Sequence, residues 1–254
     1  MRIFTCFLIL LFLRLNVFAQ SDSTQKLRDT SFTSINSATV TGKGFKPFIL
    51  PGALITYGAL SLFVKPLQNL DHSVQHQIIT NHPDFSTHAD NYLWMVPTAA
   101  VYGLNLAGLH GKNNYRDLTM IVLISNGIME TSNIITKKSV HQLRPDGSDY
   151  ESFPSGHTAS AFAAAEYLYQ EYKHVSPWIG VGGYAIAGAT GVLRLYNNQH
   201  YLGDVLAGAG LGILSTKITY LVYPYINRKL FKNAAFKAIV LPAYKPEFLG
   251  FKLK

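Results

Sequence analysis

Six charged or titratable residues between positions 137 and 204 belong to three short motifs. The motifs are Lys137-x6-Arg144-Pro145, Pro154-Ser155-Gly156-His157 and Arg194-x5-His200-x3-Asp204. The three cations suit the oxygens of a phosphate group, because arginine offers a planar fork of donors and lysine offers a point charge. The two histidines could supply a nucleophile and a proton donor. These residue types together predict a phosphate site with imidazole chemistry.

The second motif stands directly before the apolar run Thr158–Ala165, which predicts a turn that enters a helix. Backbone N–H groups at the start of a helix bind anions, and Gly156 allows the backbone to approach closely. The Ser155 hydroxyl would add one more donor. We therefore expect Ser155 and Gly156 to bind phosphate together with Lys137, Arg144 and Arg194.

The third motif predicts the attacking group. His200 and Asp204 are four residues apart at the head of an apolar stretch, so on a helix they would share a face. A carboxylate that accepts one ring N–H fixes the tautomer and leaves the other nitrogen free to attack. His200 is then the nucleophile, through a phosphohistidine, with Asp204 as its orienting group. His157 is left as the general acid.

Each of these residues also has a structural explanation when it is taken alone. Lys137 and Arg144 could lie at a helix end or in solvent, His157 could cap a helix, and His200 with Asp204 could be a surface pair. The convergence of all of them favours a functional site, because charged groups concentrate in this way at active sites.

Four further histidines lie in the polar segment Asp71–Asp90, at positions 72, 76, 82 and 88. The first two have the i,i+4 spacing of metal ligands on a helix. No cysteine or carboxylate motif accompanies them, so a polar loop is the favoured interpretation. We expect no metal and no cofactor.

The N-terminus resembles a secretory signal peptide. Arg2 precedes the apolar run Ile3–Leu13, and Val17-Phe18-Ala19 supplies small residues for cleavage after Ala19. The alternative is an uncleaved anchor interrupted by Arg14. Cleavage would remove Cys6, the single cysteine, and would lower the formal charge from +8 to +6. A mature chain without a thiol excludes disulfides and cysteine nucleophiles.

The expected organisation is a leader over residues 1–19, a flexible segment over 20–46, a helical domain over 47–230 and a tail over 231–254. Six apolar stretches without strand-like alternation predict an all-α fold. They are Phe48–Val64, Tyr92–Leu109, Leu118–Thr136, Thr158–Tyr172, Trp178–Leu193 and Leu202–Tyr223. No repeat or break in composition indicates a second domain.

Charge and hydropathy favour an exported protein on the periplasmic side of the cell envelope that contacts a membrane. The first, fifth and sixth stretches approach the length of a membrane span, whereas Asn126, Glu130 and Asn133 make the third costly in lipid. Six crossings would put an exported N-terminus on the wrong side, so the alternatives are a peripheral bundle or one stretch that does not cross. Scattered basic residues favour an anionic lipid or substrate over nucleic acid.

The three motifs, in this order, resemble the signature blocks of the type 2 phosphatidic acid phosphatase (PAP2) superfamily. That superfamily includes lipid phosphate phosphatases, bacterial class A acid phosphatases and vanadium haloperoxidases. The resemblance implies a six-helix bundle, a metal-independent phosphatase mechanism and the roles given above, with a phosphorylated lipid or small phosphoester as the substrate. One departure is Leu193, which stands where the third block usually has serine.

The favoured function is therefore the hydrolysis of a phosphomonoester or pyrophosphate, with the apolar stretches favouring a lipid. Three alternatives stay open at this point. They are a soluble periplasmic acid phosphatase of broad specificity, a vanadium-dependent haloperoxidase, and a membrane or scaffold protein without catalysis. The last would predict the loss of a catalytic residue, and all of them are present.

Overall fold

The computed structural model describes residues 45–231, with side chains described as far as residue 229. The expected leader, nearly all of the expected flexible segment and the tail from residue 232 lie outside these described residues. Every regular element within them is a helix, which confirms the prediction of an all-α fold.

Eight helices make up the described part of the chain. They are α1 (Lys46–Ser61), α2 (Lys65–Asn81), α3 (Asp90–Leu93), α4 (Val96–Leu106), α5 (Tyr115–Val140), α6 (Gly156–Tyr172), α7 (Pro177–Tyr196) and α8 (Leu202–Phe231). Each of the six predicted apolar stretches overlaps a helix, in order α1, α4, α5, α6, α7 and α8. Helices α2 and α3 are the additional elements.

The favoured polar loop after Asp71 is wrong in its first half, because residues as far as Asn81 belong to α2. Pro66 occupies the first turn, where its missing N–H costs nothing. Apolar residues recur with helical spacing at Leu70, Val74 and Ile78. The polar residues between them hide this period when the segment is judged by mean polarity alone.

Helix α6 lies at the centre of the bundle. Its buried residues extend around the whole circumference, as expected for a helix enclosed by others. It packs most extensively against α7 and α8, and α8 also packs along α1. Alanines at positions 161, 163, 164 and 165 are each no more than 1% exposed, so short side chains set these close helix contacts. The N-terminus of this enclosed helix carries the second motif.

Two glycines of α8 allow α6 to approach closely. A Cβ atom added at Gly208 would lie 2.5 Å from the Ser155 carbonyl oxygen, and one added at Gly212 would lie 2.1 Å from the Ala159 carbonyl oxygen. Both separations are far below van der Waals contact, so a larger residue would separate the helices. The close contact at Gly208 also fixes where the second motif lies relative to α8.

Two helices in the described part are long and apolar enough to cross a membrane, α5 and residues Leu202–Lys229 of α8. A third span arises if α1 and α2, which meet at a bend of 92°, are counted as one broken span. The sequence-based ranking is therefore corrected at two places. The third stretch qualifies despite its polar residues, and the fifth, in α7, does not.

Candidate active site

One open cavity of about 280 Å³ brings together six of the eight predicted site residues. They are Lys137, Arg144, Gly156, His157, Arg194 and His200. The end of α5, the loop after it, the start of α6, the end of α7 and the turn before α8 supply these six residues. Residues that are far apart in the sequence thus meet at one end of the bundle.

The first motif is held by the loop between α5 and α6. Nζ of Lys137 donates to the Glu151 carbonyl oxygen. Nε of Arg144 donates to Oδ1 of Asp149 at 2.8 Å. The backbone N–H of Arg144 donates to the carbonyl oxygen of Asp149 at 2.9 Å. Gly147, with φ of 75°, occupies the left-handed region that this tight turn requires. The loop therefore folds both cations back over the cavity.

Arg194 is fixed by a residue from outside the three motifs. Nη1 of Arg194 donates to Oδ2 of Asp90, in α3, at 2.7 Å. The two side chains are 5% and 2% exposed. Burial lowers the pKa of Arg194 and Asp90 opposes that shift, so the guanidinium keeps its charge. Among the described residues Nε of Arg194 has no hydrogen-bond partner, which leaves it available to an anion.

His200 presents one ring nitrogen to the cavity and the other to the interior. Nε2 lies 3.4 Å from Nη2 of Arg194, whereas Nδ1 lies 3.7 Å from Oδ2 of Asp204. Burial lowers the pKa of His200, and the neighbouring Asp204 raises it in part. The ring orientation agrees with attack by Nε2. The expected hydrogen bond from the ring to Asp204 is not formed, because 3.7 Å exceeds hydrogen-bond distance and Nδ1 has no partner among the described residues.

The expected helical pairing of His200 with Asp204 is wrong in one respect. Helix α8 begins at Leu202, so His200 precedes it and the two residues do not share a helical face. Oδ2 of Asp204 accepts the Ser152 hydroxyl at 2.5 Å and the Tyr201 backbone N–H at 2.9 Å. These donors hold the carboxylate in place behind the imidazole.

His157 is the second residue of α6, as expected for a turn that enters a helix. The Trp94 ring meets its imidazole edge-on, with centroids 6.4 Å apart. Burial, followed by the charge of Arg194, lowers the pKa of His157 to about 4. A bound phosphate would reverse the second effect by adding negative charge next to the ring.

Ser155 is fully buried and does not line the cavity. Its hydroxyl pairs with that of Thr158 at 2.9 Å, and its backbone N–H donates to the Asp204 carbonyl oxygen at 3.1 Å. The residue therefore joins the second motif to the third. Leu193, at the departure from the family pattern, is also absent from the cavity wall.

The segment after Arg194 mainly anchors the chain before α3. Asn197 accepts the backbone N–H of Thr87 and donates to its carbonyl oxygen. Asn198 accepts from the Gln75 amide of α2 at 2.9 Å. Both asparagines therefore pack this segment against other parts of the bundle.

Several residues of the site were not predicted. Asp90 and Ser152 support motif residues from behind, and the cavity wall also contains Trp94, Glu130, Glu151 and Ser160. Two of these had a usable signal. Glu130 lies seven residues before Lys137 on one helix, and Ser160 lies three residues after His157, so both share the faces of motif residues.

Residues 117–228 match the family model of the PAP2 superfamily. The predicted resemblance to that superfamily is therefore confirmed for this region of the chain. The match contains all three motifs and helices α6 and α7 in full. It supports the predicted assignment to phosphate-ester hydrolases.

A lipid A 1-phosphatase of Porphyromonas gingivalis is 36% identical over 162 residues, which are 63% of this chain and 36% of that protein. The chain thus spans about a third of the length of this relative. A transmembrane PAP2-type phosphatidylglycerolphosphate phosphatase from Bacillus subtilis is similar in structure, with a TM-score of 0.51 and 19% identity, over 73% of this chain and 99% of that one. This likeness supports the helical fold.

Proposed function

We propose that this protein is a metal-independent phosphatase that hydrolyses a lipid phosphate through a phosphohistidine intermediate. The observation that carries the proposal is the convergence of three cations and two histidines on one cavity. The cations Lys137, Arg144 and Arg194 supply the positive charge that phosphoryl transfer requires. The histidines supply a nucleophile and an acid at opposite sides of the bound phosphate.

In the first step, Nε2 of His200 attacks phosphorus. The bond between phosphorus and the leaving oxygen breaks, and that oxygen takes a proton from the imidazolium of His157, which the negative charge of the bound phosphate favours. Arg194, whose Nη2 lies 3.4 Å from the attacking nitrogen, is placed to hold a non-bridging oxygen. Asp204 stabilises the positive charge that develops on the His200 ring.

In the second step, water attacks the phosphorus of the phosphohistidine. His157, now neutral, accepts a proton from that water, and the bond between phosphorus and Nε2 of His200 breaks. The products are the dephosphorylated alcohol and inorganic phosphate. Both histidines return to their starting protonation states, so the cycle is balanced without a further reactant.

A membrane setting is favoured by the surface of the two candidate spans. On α5, Leu123, Ile134 and Ile135 are 62%, 49% and 53% exposed, and on α8 Leu221 is 66% exposed. Exposed apolar side chains on long helices are typical of a lipid-facing surface. The similarity to a lipid A 1-phosphatase adds support for a lipid substrate.

We also propose that the cavity opens on the periplasmic side. Tyr223 of α8 donates to Asp117 at the start of α5, so these two helix ends lie together, away from the motifs. Lys112, Arg228 and Lys229 lie near these ends. Under the positive-inside rule such residues mark the cytoplasmic face. Labelling of Ser148→Cys but not Lys112→Cys by an impermeant thiol reagent, in a Cys6→Ser background, is the expected result; the reverse would contradict it.

The proposed chemistry is tested by phosphate release from phosphatidic acid in detergent micelles with EDTA present. We expect the wild type to be active and His200→Ala to lose activity by at least about a thousandfold. Activity retained by His200→Ala would refute the nucleophile assignment. Loss of wild-type activity in EDTA would refute metal independence.

A further inference from the structure

Besides Glu151, three residues of the cavity wall lie outside the motifs, and two of them adjoin His157. Ser160 follows His157 by one turn of α6, and the Trp94 ring meets the same histidine edge-on. Glu130 precedes Lys137 by two turns of α5 and also lines the cavity. Glu130 and Lys137 are seven residues apart, which places them about 10 Å from each other along the axis of α5. The cavity therefore extends beyond the phosphate cluster.

This extension coincides with the place of the leaving group, if the proposed function is correct. His157 donates its proton to the leaving oxygen, so the atoms attached to that oxygen lie on the same side as His157. Trp94 and Ser160 then adjoin these atoms, and Glu130 lines the same cavity. An aromatic face, a hydroxyl and a carboxylate are suited to a hydroxylated group, since carboxylates accept hydrogen bonds from hydroxyls.

Glu130 has the features of a functional carboxylate. It lies within α5, a helix that is apolar and long enough to cross a membrane. An ionisable residue in such a helix is costly against lipid and faces a cavity or a partner. Glu130 is exposed and, within the described part of the chain, makes no hydrogen bond or ion pair, so its carboxylate is free to contact a group bound in the cavity that it lines.

We propose that Glu130, with Trp94 and Ser160, forms a leaving-group subsite that accepts a hydroxylated neutral group and disfavours an anionic one. This inference rests on the proposed phosphatase function and adds the class of substrate. In a monoester the leaving group is an alcohol, whose nearby hydroxyls can donate to Glu130. In a diphosphate the leaving group is a lipid monophosphate, whose charge would lie next to the carboxylate and be repelled.

The test compares two lipids in the same detergent micelles, dodecyl glucoside 6-phosphate and farnesyl diphosphate. For the wild type, kcat/KM is expected to be higher with the glucoside phosphate. Glu130→Gln removes the charge and keeps the shape. It is expected to lower the ratio of the two kcat/KM values by about tenfold or more, mainly because the diphosphate is no longer repelled.

Two further variants separate the subsite from a general effect of charge. Asp84→Asn removes one negative charge from an exposed position that does not line the cavity, and its ratio should stay within about twofold of the wild type. Glu130→Asp keeps the charge and should retain the preference for the glucoside phosphate. Thermal unfolding of each variant shows that the fold is intact.

The two proposals fail in different ways. If the wild type releases phosphate from neither lipid nor from phosphatidic acid, the proposed phosphatase function is overturned. If it acts on phosphatidic acid alone, the subsite is overturned. If the wild type is active and Glu130→Gln has an unchanged ratio, the phosphatase stands and the subsite is overturned. An equal change of ratio in Asp84→Asn would also overturn it, because the effect would then not depend on the cavity.

Discussion

Asp90 and Arg194 form a buried ion pair that joins the four-residue helix α3 to the end of α7. The Nη1 to Oδ2 distance is 2.7 Å, and both side chains are almost wholly enclosed. Oδ1 of Asp90, the oxygen that does not face Arg194 Nη1, has no hydrogen-bond partner among the described residues. Removal of one member of a buried pair leaves an uncompensated charge, at a cost of about 3–5 kcal/mol. The orientation of the Arg194 guanidinium thus depends on Asp90, which lies more than a hundred positions earlier in the chain.

The first prediction concerns this pair. Asp90→Asn keeps the shape of the side chain but removes the charge that orients the guanidinium. We expect kcat/KM for phosphatidic acid to fall by about a hundredfold, because a misplacement of about 1 Å in a positioning group can cost that much. Arg194→Lys should be similarly impaired. The kcat/KM of the double variant, Asp90→Asn with Arg194→Lys, should be only slightly lower than that of either single variant, because the two residues act together.

Asp149→Asn is the matched control for the first prediction. Asp149 also binds a cavity arginine, Arg144, at 2.8 Å, but it is 46% exposed. Exposed ion pairs contribute only about 0–1 kcal/mol, so kcat/KM of this variant for phosphatidic acid should fall by less than about fivefold. Equal losses in Asp90→Asn and Asp149→Asn, or additive effects with Arg194→Lys, would contradict the positioning role.

The second prediction separates the roles of the two histidines by the leaving group. An alcohol needs a proton as it departs, whereas p-nitrophenolate is stable without one. His157→Asn should therefore lower kcat for phosphatidic acid by about a hundredfold to ten-thousandfold, the usual contribution of a general acid. Its loss in the first turnover of p-nitrophenyl phosphate, before water attacks the phosphohistidine, should be much smaller. Single-turnover release of diacylglycerol and of p-nitrophenolate measures both.

His200→Ala serves as the comparison in that experiment. The nucleophile is needed whatever the leaving group, so this variant should lose both activities to a similar extent. If His157→Asn impairs the two substrates equally, the acid role of His157 is wrong. If His200→Ala spares p-nitrophenyl phosphate, the nucleophile role is wrong.

The motif residues could be predicted because each motif is a short run of sequence whose residue types and spacing indicate its chemistry. The prediction that Ser155-Gly156-His157 enters a helix needed only the small residues and the apolar run that follows. The supporting residues could not be predicted in this way. Asp90 and Ser152 act through contacts across 104 and 52 positions, and no local pattern distinguishes them from surface residues.

The errors in the helix predictions have a similar origin. Helix α2 was missed because its apolar positions are few, although their spacing is helical. The start of α8 at Leu202 depends on the Tyr201 N–H bonding to Asp204, a detail of the turn that hydropathy does not contain. The polar residues of α5 predicted a cost in lipid, yet the helix is apolar and long enough to cross a membrane. One of these residues, Glu130, lines the cavity.

The third prediction concerns the protonation of His157. Its pKa of about 4 in the free site means that the ring is neutral at pH 7. A bound phosphate or vanadate brings negative charge that favours the imidazolium, so the pKa should rise. Between pH 5 and pH 7 the ring should therefore gain a proton when the anion binds. NMR titration of the histidine ring signals, assigned with His157→Gln, measures the change.

An unchanged or lowered titration midpoint for His157 in the presence of vanadate would contradict that prediction. By thermodynamic linkage, protonation of His157 must strengthen vanadate binding by the same factor as vanadate strengthens proton binding. Because the anion and the proton stabilise each other, vanadate affinity should fall as pH rises through the pKa of the complex. The His157→Gln variant should lose this part of the pH dependence.

The fourth prediction concerns the contact between α8 and the second motif. Gly208→Ala would place a methyl group 2.5 Å from the Ser155 carbonyl oxygen, directly before the first turn of α6. We expect the strain to lower the free energy of unfolding by about 1–3 kcal/mol, the usual cost of overpacking. Activity should fall as well, because the displaced turn carries Gly156 and His157. Thermal unfolding in detergent and phosphate release measure the two effects.

Gly188→Ala is the matched control for this last substitution. Gly188 lies inside α7, and a Cβ atom added there would meet nothing within 4 Å. Alanine is the better helix former by about 1 kcal/mol, so this variant should be as stable as the wild type or more stable. If Gly208→Ala behaves like Gly188→Ala, α8 does not constrain the turn. If it loses stability but keeps full activity, the contact holds the bundle together without positioning His157.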